Sequence, residues 1–180
     1  MTKSNIGADS WTPLLLAAQR GDRLALTELV RAAQPSVWRL AAHLVDRTEA
    51  DDLTQEAFVR AYQALPNYRA ESSARTWLLA IVRRTCIDAL RSRARRRKRD
   101  ARIQDTISET SSPDSAQPTA LRELIANLEP DRREAFVLTQ WIGCSYQEAA
   151  EICGVPIGTI RSRVARARSD LVTAWEETGS

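Results

Sequence analysis

The chain has 180 residues and a formal charge of +3, from 26 Lys and Arg against 23 Asp and Glu, with a pI near 9.0. It is long enough for one domain or two small ones, and the mildly basic total carries little information by itself. Cys86, Cys144 and Cys153 form no C-x-x-C and no disulfide framework, and the apolar run Leu14–Ala18 is too short for a signal peptide or membrane span, so a cytoplasmic protein with reduced thiols is expected.

The helical periods begin at Thr12 and run to Arg20, where Gly21 and Asp22 read as a turn and a helix start. A second helix, about 22–44, carries Leu26, Leu29, Val30, Val37, Leu40 and Ala41 near helical spacing, with Pro35 as a candidate kink. The third, about 48–65, has Leu53, Ala57, Ala61 and Leu65 at every fourth position and stops before Pro66. A fourth, about 72–98, places Trp77, Leu78, Ile81, Val82, Cys86, Ala89 and Leu90 on one side. It runs into RSRARRRKRDAR at 91–102, a basic run suited to phosphate or to an acidic partner. From 105 to 119 the text is polar, with two prolines and almost nothing to bury, which predicts a linker. Helices at 120–128 and 131–141 follow. Nothing alternates with period two, so the predicted class is all-α: two small helical domains joined by a flexible linker.

The last helices carry the strongest signal. Ser145 to Leu171 reads SYQEAAEICGVPIGTIRSRVARARSDL, a short helix, a glycine turn and an arginine-studded helix. Ala149 and Ala150 are small where two helices must approach closely. Gly154 suits a left-handed turn position, and Pro156 pre-sets φ for the next helix. Ile160, Val164 and Leu171 supply an inward apolar stripe, leaving Arg161, Ser162, Arg163, Arg166 and Arg168 for the remaining face. This is the sequence form of a helix-turn-helix whose second helix enters a DNA major groove. In the third helix, Asp51, Asp52, Gln55 and Glu56 share one face. Taken alone, that face is compatible with an ordinary amphipathic helix. His43 stands alone, and no metal site or cofactor fingerprint is visible.

DDLTQEAFVRAY, then LPNYRAESSARTWLLAIVRRTCIDALRSRARR, then the helix-turn-helix together resemble extracytoplasmic-function (ECF) sigma factors of bacterial RNA polymerase, over nearly the whole chain from about 14 to 171. The resemblance implies region 2 at 10–98, a basic and polar linker at 99–118, and region 4 at 119–176. It implies core RNA polymerase as partner, through the β′ clamp helices and the β flap, together with promoter DNA and an anti-sigma protein, and no membrane insertion. Asp51, Asp52, Gln55 and Glu56 correspond to the clamp-docking face, where carboxylates can pair with arginines. Tyr68, Arg75, Trp77 and Arg84 fall in the stretch that holds the −10 element. Tyr68 is expected to stay exposed in a proline-started loop, where it would stack on a flipped base. Trp77 fits either stacking at the upstream edge of the melted region or a core anchor. Thr159, Arg161, Ser162, Arg163 and Arg166 match the −35-reading helix, with Arg163 and Arg168 better suited to phosphate or solvent than to base edges. Many family members have asparagine where this chain has Arg84. Arginine only donates, so Arg84 is left to read a base acceptor or to neutralise a phosphate.

Two other readings compete. A free-standing helix-turn-helix regulator would shift duplex DNA alone, but it needs neither the acidic face, the linker nor the Tyr68–Trp77 stretch. Gly143-Cys-Ser-Tyr-Gln147 approaches a G-x-S-x-G elbow but ends in glutamine and opens a helix-turn-helix, so no enzymatic activity is expected.

Overall fold

The structure, a computed structural model, describes residues 10–45, 47–100 and 120–178. Eight α-helices are found in them, with no strand: α1 (Trp11–Gln19), α2 (Arg23–Leu44), α3 (Arg47–Ala64), α4 (Ala74–Asp100), α5 (Ala120–Ala126), α6 (Pro130–Phe136), α7 (Tyr146–Cys153) and α8 (Ile157–Thr178). The helix ends follow from the sequence. Asp22 caps α2, its carboxylate accepting from the amides of Leu24 (2.9 Å) and Ala25 (3.1 Å). Gly21, at φ 98°, supplies the left-handed turn before it. Glu129 caps α6 in the same way, with Pro130 in the first turn. α2 continues through Pro35, which lies on its exposed side, away from the packed face.

α1 to α4 form one bundle. Leu15, Leu29, Val37, Leu40, Leu53, Ala57, Leu79 and Val82 are buried at its centre. Alanines at 33, 41, 50, 57 and 61 let the helices approach closely. Leu90, expected on the inward side of α4, is 40% exposed, while Cys86 and Ala89 of the same helix are the residues that face the core. α4 also passes the expected boundary at 98 and ends at Asp100. Beyond that point, the linker expected over 99–118 lies outside the described residues.

α5 to α8 form the second bundle around Ile125, Leu138, Ile160 and Val164, with a single wide π turn (Val137–Trp141) after α6. The two bundles touch. α4 packs on α7, α2 packs on α6 and on the π turn, and one apolar core runs through both.

Candidate functional site

Three surfaces carry the residues singled out above. The first is the outer face of α3, where Asp51, Asp52, Gln55 and Glu56 are all exposed while Leu53, Thr54 and Ala57 turn inward. Two of the acids are already positioned. The Trp38 indole N–H donates to Asp51 Oδ1 at 2.7 Å, and Arg60 Nη2 donates to Glu56 Oε1 at 2.6 Å. Arg60 also reaches Asp88 Oδ2 on α4 at 3.1 Å, and Arg93 pairs with Glu49. A polar groove of about 430 Å³ between α3 and α4 is lined by Asp52, Glu56, Arg60, Asp88 and Arg93 among others. Arg60 was legible as an i+4 partner of Glu56. Trp38 was not, since nothing in its own helix points to Asp51.

The second surface centres on Tyr68 and Trp77. Tyr68 is 5% exposed, which corrects the expectation of an open loop aromatic. Its hydroxyl donates to the Ser72 carbonyl at 2.7 Å, and its ring lies 5.2 Å from that of Trp77. The Gln19 side chain holds the same loop by donating to the carbonyls of Leu65 (3.0 Å) and Tyr68 (2.8 Å). Ala70 sits at φ 56°, a left-handed position unusual for alanine. Trp77 is half-buried beside an apolar hollow of about 110 Å³ that Phe58, Tyr62 and Leu78 also line. Tyr62, 62% exposed, presents a further aromatic ring here, one with no motif in the sequence to mark it. Arg84 is exposed two turns beyond Trp77 on the same face of α4. Arg75 lies on the opposite side, where its guanidinium donates to the Ile142 carbonyl of the second bundle. The structure therefore brings Tyr68 and Trp77 together, aligns Arg84 with them, and separates Arg75.

The helix-turn-helix forms the third surface. Ser145 and Glu148 make a reciprocal capping box at the start of α7: Ser145 Oγ accepts from the Glu148 amide at 3.1 Å, and the Ser145 amide donates to Glu148 Oε2 at 2.7 Å. Gly154, at φ 67°, ends α7 in the left-handed conformation. Ala149 and Ala150 are buried at the crossing, and Ile160, Val164 and Ala167 turn α8 inward, with Leu171 half-buried behind them. Arg161, Ser162 and Arg166 are exposed. Thr159 is half-buried, and its carbonyl accepts from Ser162 Oγ at 2.9 Å. Arg163 is bound to Asp131 of α6, and Arg168 donates to Gln140 at 2.7 Å. Arg161 and Arg166 have no ion pair among the described residues. Of the arginines on α8, these two are unencumbered.

Between the bundles, Arg83 of α4 makes a two-pronged pair with Glu134 of α6, at 2.6 and 3.2 Å. Glu134 is 4% exposed. Burial opposes the charge on Arg83, but the hydrogen bond and charge of Glu134 outweigh it and raise the arginine's pKa. Cys86 and Cys153 lie in the same neighbourhood, and burial, with the charge of Glu134 second, pushes both thiols up to about 12. His43 stacks on Trp141, ring centres 4.8 Å apart. Among the described residues no group of His, Cys, Asp and Glu could hold a metal ion, and no helix is long and apolar enough to cross a membrane.

Two family models match the chain: sigma-70 region 2 over residues 29–96 and sigma-70 region 4 over 119–171. A curated relative, the ECF RNA polymerase sigma factor SigC of Mycobacterium tuberculosis, is 46% identical over 179 residues, covering 98% of this chain and 97% of the relative. The ECF RNA polymerase sigma-E factor of Escherichia coli is 33% identical, covering 86% of this chain and 88% of its own. Among solved structures, CnrH in complex with the cytosolic domain of CnrY aligns with a TM-score of 0.70 at 26% identity, over 94% of this chain and 98% of the other. The sigma factor RpoE of Bartonella quintana, in complex with the anti-sigma factor NepR, aligns with a TM-score of 0.69 at 28% identity, over 83% and 96%.

Proposed function

Because the chain belongs to the sigma-70 family of RNA polymerase sigma factors, in its extracytoplasmic-function branch, we propose a division of labour among its three surfaces. The protein is a promoter-specificity subunit: it binds core RNA polymerase, recognises −35 and −10 elements and helps initiate transcription of a specialised set of genes. It lends recognition to the polymerase, whose own chemistry makes RNA, and it acts in the cytoplasm where polymerase and promoters are. Region 2 spans 10–98 and region 4 spans 119–176. Asp51, Asp52, Gln55 and Glu56 dock on the clamp helices. Arg161, Ser162 and Arg166, with Thr159 at the helix start, read the −35 element, and Arg163 supports α8 from within. Trp77 and Arg84 serve the −10 element from one side of α4, with the buried Tyr68 ring supporting Trp77 from the preceding loop and Arg75 joining them once region 4 moves off it. One structural neighbour, RpoE, is a sigma factor held by an anti-sigma factor, and another, CnrH, is held by the cytosolic domain of CnrY. An anti-sigma protein is the corresponding partner here.

The observation that carries this reading is the coexistence of two exposed surfaces on one chain. The acidic face of α3 and the arginines of α8 sit on separate bundles, and neither is consumed in the core. A free-standing regulator needs only the second. Purified chain is therefore expected to bind core polymerase tightly and to bind duplex promoter DNA weakly until core is present. Fluorescence anisotropy with labelled DNA, with and without core, checks this. Tight, sequence-specific DNA binding by the chain alone, unaffected by core, would favour the regulator.

A further inference from the structure

Asp51 is held differently from its acidic neighbours on α3. Glu49 and Glu56 are paired with arginines, Arg93 and Arg60. The partner of Asp51 is neutral: the Trp38 indole N–H, reaching across from α2, donates to Oδ1 at 2.7 Å. A neutral donor fixes a carboxylate without cancelling its charge, and it uses one of about four lone-pair sites. Asp51 is exposed, so Oδ2 stays open to a second donor. Helical spacing alone would give Asp51 another partner. Arg47 lies four residues earlier on the same helix, where opposite charges meet. No ion pair joins the two among the described residues. The Arg47 guanidinium lies instead over the Trp38 ring, 5.4 Å from its centroid. One half-buried indole thus engages Arg47 with its face and Asp51 with its edge.

From this we infer that Trp38 is a positioning residue for the docking of core polymerase. It holds Asp51 in one orientation and keeps Arg47 from neutralising it, so that the carboxylate meets a cation of the clamp helices with its charge intact. The inference rests on the clamp-docking reading above. Two physical effects carry it. Ordering the Asp51 side chain before docking removes part of the conformational cost of association. Keeping its charge uncancelled speeds encounter with a cationic partner, an effect that salt screens. Both effects need the indole N–H and ring together. A phenylalanine at 38 would still stack on Arg47 but could not hold Asp51, and an aliphatic residue would do neither.

The test measures the association and dissociation rates of the full-length chain with core polymerase, at about 0.1 M salt and at higher ionic strength. Trp38→Phe should bind about three- to five-fold more weakly at the lower salt, the range an exposed charge pair carries. The deficit should lie mainly in the association rate and narrow as salt rises. In an Asp51→Ala background, Trp38→Phe should have no further effect, because the group it positions is gone. Trp38→Leu should bind more weakly than Trp38→Phe, and adding Arg47→Gln should recover that difference. The gain from Arg47→Gln should be larger in Trp38→Leu than in the wild-type chain, where the ring already restrains the arginine. Equal losses from Trp38→Phe with and without Asp51 would overturn the inference, since the tryptophan would then act through the fold. So would wild-type binding by Trp38→Phe. A gain from Arg47→Gln no larger in Trp38→Leu than in the wild-type chain would overturn the restraint on Arg47. Undiminished core binding by Asp52→Ala/Glu56→Ala would instead refute the clamp-docking reading beneath.

Discussion

Arg161 and Arg166 are the side chains on which sequence choice at the −35 element should turn. Both are exposed on α8 and unpaired among the described residues, so each can present its fork of donors to a guanine edge. Arg161→Ala or Arg166→Ala should cost about 1–3 kcal/mol of discrimination at particular bases, read by transcription from promoters varied one −35 position at a time. Arg163→Ala should behave differently. Its guanidinium is held by Asp131, so its loss should lower thermal stability modestly and leave base preference intact. The sequence set Arg163 apart from Arg161 and Arg166 as a residue for phosphate or solvent, but could not show its partner, because Asp131 lies on another helix. Tyr68 shows the same limit. A proline-started loop between helices suggested an exposed ring, yet Gln19 of α1 folds the loop inward and the ring is buried against Trp77. Tyr68→Ala should thus destabilise the fold by roughly 3–5 kcal/mol, as removing a buried aromatic ring does. Tyr68→Phe, which loses only the hydroxyl's bond to Ser72, should cost about 1 kcal/mol in urea unfolding. Near Tyr68, Ala70→Gly should raise stability by about 0.5–1 kcal/mol, since its left-handed backbone suits glycine better.

At the level of elements, α7 and α8 were the most readable part of the chain. The alanine crossing, αL glycine and inward stripe all follow local rules, and each appears where the residues put it. The acidic face of α3 was equally readable, because its four residues share a face whatever the helix packs on. On this element, Asp52→Ala/Glu56→Ala should melt within about 1 kcal/mol of wild type, since both side chains are exposed and Glu56 has only a surface pair with Arg60. A pull-down on isolated clamp helices should nevertheless show weaker capture, and undiminished capture would return α3 to a plain amphipathic helix. The pairing of α4 with α6 was illegible. Arg83 and Glu134 are 51 positions apart with the linker between them, and nothing local couples them. Replacing Arg83 by alanine would leave a buried carboxylate without its partner, a change typically worth about 3–5 kcal/mol. Here that cost can be relieved by separating the bundles, so hydrogen exchange should rise along α4 and α6 before global stability falls.

In the molecule as a whole, region 4 rests on region 2 and occupies Arg75, one of the residues assigned to the −10 element. Any use of Arg75 on DNA requires the two bundles to part. Their seam also holds Cys86 and Cys153, whose folded pKa is raised to about 12 from an ordinary 9.0 by burial. The sign of the linkage follows: the thiols' contribution is complete below pH 9 and is lost as pH rises toward 12, because the unfolded chain ionises first. Melting temperature should accordingly fall above pH 9, and Cys86→Ala should flatten that fall. The central claim is that two surfaces on two bundles together choose a promoter for the polymerase. It is tested most directly by run-off transcription with purified core polymerase on a library randomised across both promoter elements. The expected result is transcripts only when the chain is added, from templates sharing a −35 and a −10 motif at fixed spacing, with the −35 motif altered by Arg161→Ala. Transcription no different from core alone, or selected templates sharing only one element, would contradict it.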